Sequence, residues 1–317
     1  MKNFAYYSTE SIEAAANALQ KMPSAAVKAG GTDLMDLLKE RRLEPDDLVT
    51  LHRAARTAKE NELSALATLE DVVQSDWIRK HFPAVHVAAA EAATPQVRHV
   101  GTVGGNLCQH TRCCYYRNAN YSCHLSGGTG CPAIEEGAFN RYHAIFPASH
   151  CASAHTSNLA PALIAVGAKA RCVHPDGNRT LDVELLYEGD AESARRNHMA
   201  LRTGELIEAI ELEPTPLSRN SVYVEFRERQ SFDFAVAAVA AAVQVEGGKV
   251  KAARIVCGAV APTPYRAVAA EKAMIGRALD PAATAKAVVK GAQPLAQNKF
   301  KVVILERMVQ RALEELA

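Results

Sequence analysis

The sequence lacks any uninterrupted apolar run of the roughly 18 residues that a membrane-crossing helix needs; even the alanine-rich stretch at residues 234–243 is soon broken by polar residues. A surplus of one charge is missing too. Lys and Arg number 36 against 35 Asp and Glu, leaving a net charge of +1, so the chain has no electrostatic footprint for a phosphate polymer. The first residues, MKNFAYYSTESIEAAANAL, contain neither an apolar h-region nor a small-residue cleavage site, which predicts no secretory signal and a cytoplasmic chain. No Ser-His-Asp set or carboxylate pair stands out, and hydrolytic chemistry has no support. There is no CxxC pair, the commonest signature of a zinc knuckle. The low hydrophobicity of a disordered chain is absent as well, since 48% of residues are hydrophobic and 22% charged. A chain of 317 residues with this composition predicts two or three packed units.

What the sequence does have is cysteine, in an unusual distribution. Six of eight (Cys108, Cys113, Cys114, Cys123, Cys131 and Cys151) crowd into one stretch, while Cys172 and Cys257 stand alone in apolar, strand-like surroundings and read as core residues. A chain without a signal argues against a disulfide framework and for metal ligation. Cys113, Cys123, Cys131 and Cys151 are separated by nine, seven and nineteen residues. Four thiolates on such long, irregular loops suit a cubane iron-sulfur cluster, with structural zinc the rival and Cys108 and Cys114 as alternative ligands. His110, His124, His143, His150 and His155 lie in or beside the same stretch and keep a mixed Cys/His site in view. The segment has too little apolar periodicity to order itself.

Two glycine pairs are the other candidates. Residues 26–29 read as a short strand running into Gly30 and Gly31, after which residues 32–40 resume a helical pattern; Gly104 and Gly105 read as a second glycine turn. Backbone without Cβ atoms can approach a pyrophosphate and present N–H groups to it, although neither pair matches a Rossmann or P-loop fingerprint and each is also explicable as a tight turn. Upstream, Ser8 and Thr9 are expected to cap a helix carrying Ile12, Ala15, Ala16 and Leu19. Strands and a helix are expected in residues 63–93, and another strand in residues 206–212, before Pro214 and Pro216. Beyond that break, residues 222–226, 235–245 and 250–260 read as an antiparallel sheet with a hairpin at Gly247 and Gly248. A final helix carries the stripe Leu305, Met308, Val309, Ala312, Leu313 and Leu316.

Four motifs in this order, AGGTDLMDLLK at residues 29–39, TVGGNL at 102–107, SNLAPALIAVGA at 157–168 and GAVAPTPYRA at 258–267, resemble the FAD subunits of xanthine dehydrogenase-type molybdenum hydroxylases. The resemblance implies an α+β chain: a two-part FAD-binding domain of the PCMH or vanillyl-alcohol-oxidase type over residues 1–216, then a domain similar to the C-terminal domain of the CO dehydrogenase flavoprotein over residues 217–317. It further implies that Ala26, Val27, Lys28, Ala29, Gly30, Gly31, Thr32, Asp33 and Leu34 wrap FAD, assisted by Thr102, Gly105, Asn106, Asn158 and Leu181. Asn158 stands where the family usually has Asp, and Glu225 where close relatives have Lys. The cysteine stretch, about residues 108–151, resembles the insert of the 4Fe-4S-containing FAD subunits of periplasmic aldehyde oxidoreductase and 4-hydroxybenzoyl-CoA reductase, with Cys113, Cys123, Cys131 and Cys151 on the ligand positions. The implied partners are a molybdenum-cofactor large subunit, a small subunit with two 2Fe-2S clusters and an external electron acceptor. A partner with a twin-arginine signal would carry the complex to the periplasm. The rival readings are a zinc- or cluster-stabilised scaffold without redox turnover and a stand-alone flavin oxidase.

Overall fold

A computed structural model describes residues 1–52, 61–146, 150–187, 197–230 and 232–317. The chain opens with β1 (Ala5–Thr9), α1 (Ile12–Lys21), β2 (Ala25–Lys28), α2 (Leu34–Lys39) and β3 (Asp47–Leu51). All three strands run parallel, with β3 in the middle, so the loops leaving them share one edge. The helix cap is Ser11, whose hydroxyl accepts from Ala14 N. Ser8 and Thr9, expected to cap, lie instead in β1, which the exposed tyrosines at 6 and 7 had disguised.

A second unit follows: β4 (Glu62–Ser64), α3 (Leu69–Gln74), α4 (Asp76–His81), α5 (Pro83–Glu91), α6 (Pro95–Arg98) and α7 (Val103–Leu107). The expected second glycine turn is therefore the body of α7, capped by Thr102. Glycine is needed there for packing, because a Cβ at Gly104 would lie 3.1 Å from the Ala65 methyl and 3.2 Å from its carbonyl oxygen. Among its described residues the cysteine stretch carries only α8 (Cys114–Arg117) and two 3₁₀ turns. Then come α9 (Leu159–Ala165), β5 (Lys169–Val173), β6 (Arg179–Asp182) and β7 (Leu206–Glu211), and the antiparallel sheet β4-β7-β5-β6 closes the unit.

After α10 (Pro216–Arg219), strands β8 (Ser221–Phe226), β9 (Ala237–Glu246), β10 (Lys249–Gly258) and β11 (Tyr265–Arg266) form an antiparallel sheet in sequence order. Its hairpin turns at Gly247 and Gly248, both with left-handed φ, as the sequence predicts. Helices α11 (Val268–Met274), α12 (Pro281–Val289) and α13 (Phe300–Glu314) complete this part. The stripe on α13 is buried on the sheet with Val239, Val243 and Ile255, and the architecture is α+β as expected. Helix α9 is buried along its whole length, packed between α5 and the β9–β10 face. Gly258 permits that approach, since a Cβ there would sit 3.0 Å from Pro161 Cγ.

The cysteine stretch is docked on the start of α13. Asn298 Nδ2 donates to the His143 and Ala144 carbonyls at 3.0 and 3.1 Å. The fully buried Lys301 donates to the carbonyls of Tyr142, His143 and Ala259 at 3.2, 2.9 and 2.7 Å. Burial pushes the Lys301 ammonium down to about 7, and the three carbonyl acceptors oppose that by favouring its charged form. No helix among the described residues is long and apolar enough to cross a membrane.

Candidate functional site

The loop after β2 lies at the carboxyl edge of the parallel strands, where α/β sheets place ligands. Gly31 adopts φ +79, and a Cβ at Gly30 would fall 2.1 Å from the Val100 carbonyl oxygen, so one glycine sets the turn and the other lets it lie against the segment leading to α7. The N–H groups of residues 30–34 donate to no acceptor among the described residues. Residues 30–34 are half-buried, with Thr32 exposed, so these donors are open to solvent or a ligand, and a run of them in a concave turn at a helix start makes an anion site.

Residues 30–34 line a cavity of about 640 Å³ together with Ala26, Val27, Ala29, Thr102 and Gly105. A second cavity of about 470 Å³ shares Thr32, Asp33, Thr102 and Gly105 with it and adds Asn106 and Asn158. A third, of about 430 Å³, shares Arg112, Asn158, Arg229 and Phe234 with the second and ends at Cys113, Cys114 and His143. The three form a channel from the end of β2, past the starts of α7 and α9, to the cysteine stretch.

Most of the expected cofactor residues meet in this channel. Two do not line it: Leu181, on β6, packs against the central core, and the Lys28 side chain lies beside Gly31, its Cε 3.0 Å from where a Cβ would be. Several side chains are already engaged within the protein. Thr102 Oγ1 accepts from Gly105 N at 3.1 Å. Asn106 Oδ1 accepts from Ser157 Oγ at 2.6 Å, which ties α7 to the start of α9. Asp33 accepts from His110 N at 2.8 Å and Arg117 Nη2 at 2.7 Å, with Arg112 Nη2 at 3.0 Å. Burial opposes its ionisation, but these partners hold its carboxyl well below the usual range.

The two departures from the resembled pattern meet each other. Asn158 Nδ2 donates to Glu225 Oε2 at 2.8 Å, Tyr223 OH donates to the same oxygen at 2.7 Å, and Arg227 Nε lies 2.9 Å from Glu225 Oε1. Burial raises the Glu225 pKa above the ordinary carboxylate value, and Arg227 counters it. Glu225 thus braces Asn158 and Tyr223 from behind the channel wall and does not line it.

Among the described residues no three His, Cys, Asp or Glu side chains form a closed metal pocket. The four cysteines nevertheless share one neighbourhood. Cys113 packs into the apolar cluster that holds Cys123 and into the one that holds Cys131. Burial pushes the Cys151 thiol up to about 11, and Cys131 and Cys123 add to it. Three of the sulfurs have hydrogen-bond partners of the kind that tune cluster thiolates: His143 Nε2 at 3.2 Å from Cys113 Sγ, Ser126 Oγ donating to Cys123 Sγ at 3.4 Å, and Ser153 N donating to Cys151 Sγ at 3.4 Å. Cys108 differs, because it is packed against the central core and burial, with Cys172 nearby, pushes its thiol up to about 12. Cys172 and Cys257 are fully buried in the cores, as the sequence predicts. Cys114 is exposed, and the adjoining Cys113 thiol holds its pKa below the ordinary thiol value.

Residues 2–215 match the family described as the FAD binding domain in molybdopterin dehydrogenase, and residues 221–316 match the CO dehydrogenase flavoprotein C-terminal domain. The chain belongs to this flavoprotein family. It is 31% identical to the aldehyde oxidoreductase FAD-binding subunit PaoB of Escherichia coli (strain K12), over 99% of this chain and 98% of that one. It is 27% identical to the carbon monoxide dehydrogenase medium chain of Afipia carboxidovorans, over 98% and 96%. The solved carbon monoxide dehydrogenase from Hydrogenophaga pseudoflava superposes with a TM-score of 0.75 at 23% identity, covering 99% of this chain and 96% of that chain, and shows the shared fold.

Like its relatives, this molybdopterin-dehydrogenase flavoprotein is an FAD subunit of an oxidoreductase, and the N–H groups of residues 30–34, which no described protein acceptor takes, suit an anionic ligand of that kind. Sequence reasoning missed Gln109, Arg112, Asn197 and Phe234, which also line it. The basic residues flanking the cysteine pair in HTRCCYYRN were the available signal for Arg112.

Proposed function

We propose that this flavoprotein is the electron-transfer subunit of a molybdenum hydroxylase complex, with FAD in the three-cavity channel and a 4Fe-4S cluster on Cys113, Cys123, Cys131 and Cys151. The observation that carries the reading is the run of N–H groups at residues 30–34 without a described protein acceptor, in a loop lining the 640 Å³ cavity, an anion cradle suited to a pyrophosphate. Ala26, Val27, Ala29, Gly30, Gly31, Thr32 and Leu34 would wrap the dinucleotide, and Thr102, Gly105, Asn106 and Asn158 would continue the wall. Lys28 and Leu181 hold more distant places. When bound, FAD supplies the redox chemistry, and the protein supplies binding, orientation and electrostatics. The chain's own groups set that electrostatic field: the ionised Asp33 with its arginines where the first two cavities meet, and the Glu225–Arg227 pair behind Asn158 where the second meets the third.

The domains are taken as residues 1–216 and 217–317, with the cluster insertion at about 108–151, of which residues 147–149 lie outside the described residues. Substrate is oxidised on a molybdenum-cofactor large subunit. Electrons reach this chain from a small subunit with two 2Fe-2S clusters and leave to an external acceptor. The complex works in the cytoplasm, or in the periplasm when a signal-bearing partner exports it.

Co-expression of the three subunits is expected to give one stable assembly in size-exclusion chromatography, because permanent interfaces bury more than roughly 2,000 Å². Elution of this chain as free monomer from the co-expressed set contradicts the partner assignment.

A further inference from the structure

Helix α2 joins the N–H donor loop to the cysteine stretch. Asp33 occupies its N-cap position, where an aspartate ordinarily accepts from its own helix, yet its side chain makes no cap bond. The carboxylate, only 14% exposed, points instead at His110, Arg112 and Arg117. Asp33, Asp36 and Glu40 recur along one side of α2. Arg112 reaches Asp33 at 3.0 Å and Asp36 at 3.8 Å, and Arg117 reaches Asp33 at 2.7 Å and Glu40 at 3.2 Å. Arg117 also donates through Nε to the Thr111 carbonyl at 3.0 Å, so it clamps both ends of α2 to the backbone beside Cys113. On the apolar side, the fully buried Leu37 packs with Tyr116 and Cys123. The two arginines flank the cysteine pair in sequence, and Arg112 also lines the channel.

We infer that Asp33 is a positioning residue that couples flavin retention to occupation of the thiol site, by locking the donor loop to Arg112 and Arg117 when the cysteine stretch is ordered. Ordering of residues 110–117 fixes the carboxylate, and the carboxylate fixes the peptide planes of residues 30–34. Coupling of this kind is reciprocal: whatever iron does for flavin affinity, flavin does for iron retention. The inference rests on the flavin and cluster reading above and adds a link that neither site implies by itself.

The test measures the FAD dissociation constant of the full chain, purified anaerobically with its iron and again after chelation. Removing iron is expected to weaken FAD binding about tenfold in the native chain, within the usual span of coupled sites. Asp33→Asn is expected to weaken binding in the iron-loaded state and to abolish the difference between the two states. Arg117→Gln approaches the same contact from the other partner and is expected to do likewise, and the double variant to be no worse than either single one. Equal FAD affinity with and without iron in the native chain, or an unchanged ratio in both variants, overturns the coupling. A native chain that takes up no FAD or no iron in any state overturns the underlying reading, which stoichiometry separates from a loss of the ratio alone.

Discussion

Cys123→Ser or Cys131→Ser, purified anaerobically, is expected to lose about four iron atoms per chain, the content of one cubane, and to become protease-sensitive across the cysteine stretch. Among its described residues α8 and two 3₁₀ turns are the regular elements of that stretch, and further support comes from Asn298, just before α13, and Lys301 on it. Burial raises the pKa of the Cys151 thiol, and Cys131 and Cys123 add to it. A metal reverses that penalty by taking the thiolate form, so ligation and local folding are coupled. Cys172→Ala and Cys257→Ala, both in the apolar cores, are expected to keep their iron. Cys114→Ser decides the ligand set, because Cys114 adjoins the assigned ligand Cys113 and is exposed. Iron lost on changing Cys114 but retained on changing Cys131 would replace one assigned ligand and leave the cluster standing.

Gly31→Val is expected to abolish FAD retention in a folded protein. A β-branched residue at φ +79 is strained by roughly 1–2 kcal/mol, and relief rotates the peptide planes that present the N–H donors. Hydrogen bonds to a charged group contribute about 1.5–3 kcal/mol each, so losing two weakens binding by about two to four orders of magnitude. Gly276→Val is the control: its φ is +75, with nothing within 4 Å of the new Cβ, so it carries comparable backbone strain away from the channel and is expected to keep the flavin. Normal flavin stoichiometry in a folded Gly31→Val chain removes the donor-loop assignment.

Elements with strong local signals were legible in the sequence. The apolar stripe of α13, the Gly247-Gly248 hairpin and the strand-turn-helix around Gly30 and Gly31 each follow from periodicity or a required left-handed φ. Strand β1 was not legible, because its exposed residues carry no alternation. Nor was α7, in which two glycines weaken helical propensity to let the helix approach Ala65. At the site, the residue types were visible but their pairing was not. Asp33 reads as a channel residue, and its engagement with Arg112 and Arg117, some eighty positions away in sequence, is a tertiary fact. The Asn158 and Glu225 departures look independent in sequence, whereas the fold makes them hydrogen-bond partners.

The most direct measurement is the cofactor content of the chain itself, purified anaerobically: FAD and iron per polypeptide, with the visible spectrum. About one FAD and about four iron atoms, with flavin bands over a broad iron-sulfur shoulder, are predicted. A colourless chain that carries zinc and no flavin would contradict both cofactor assignments.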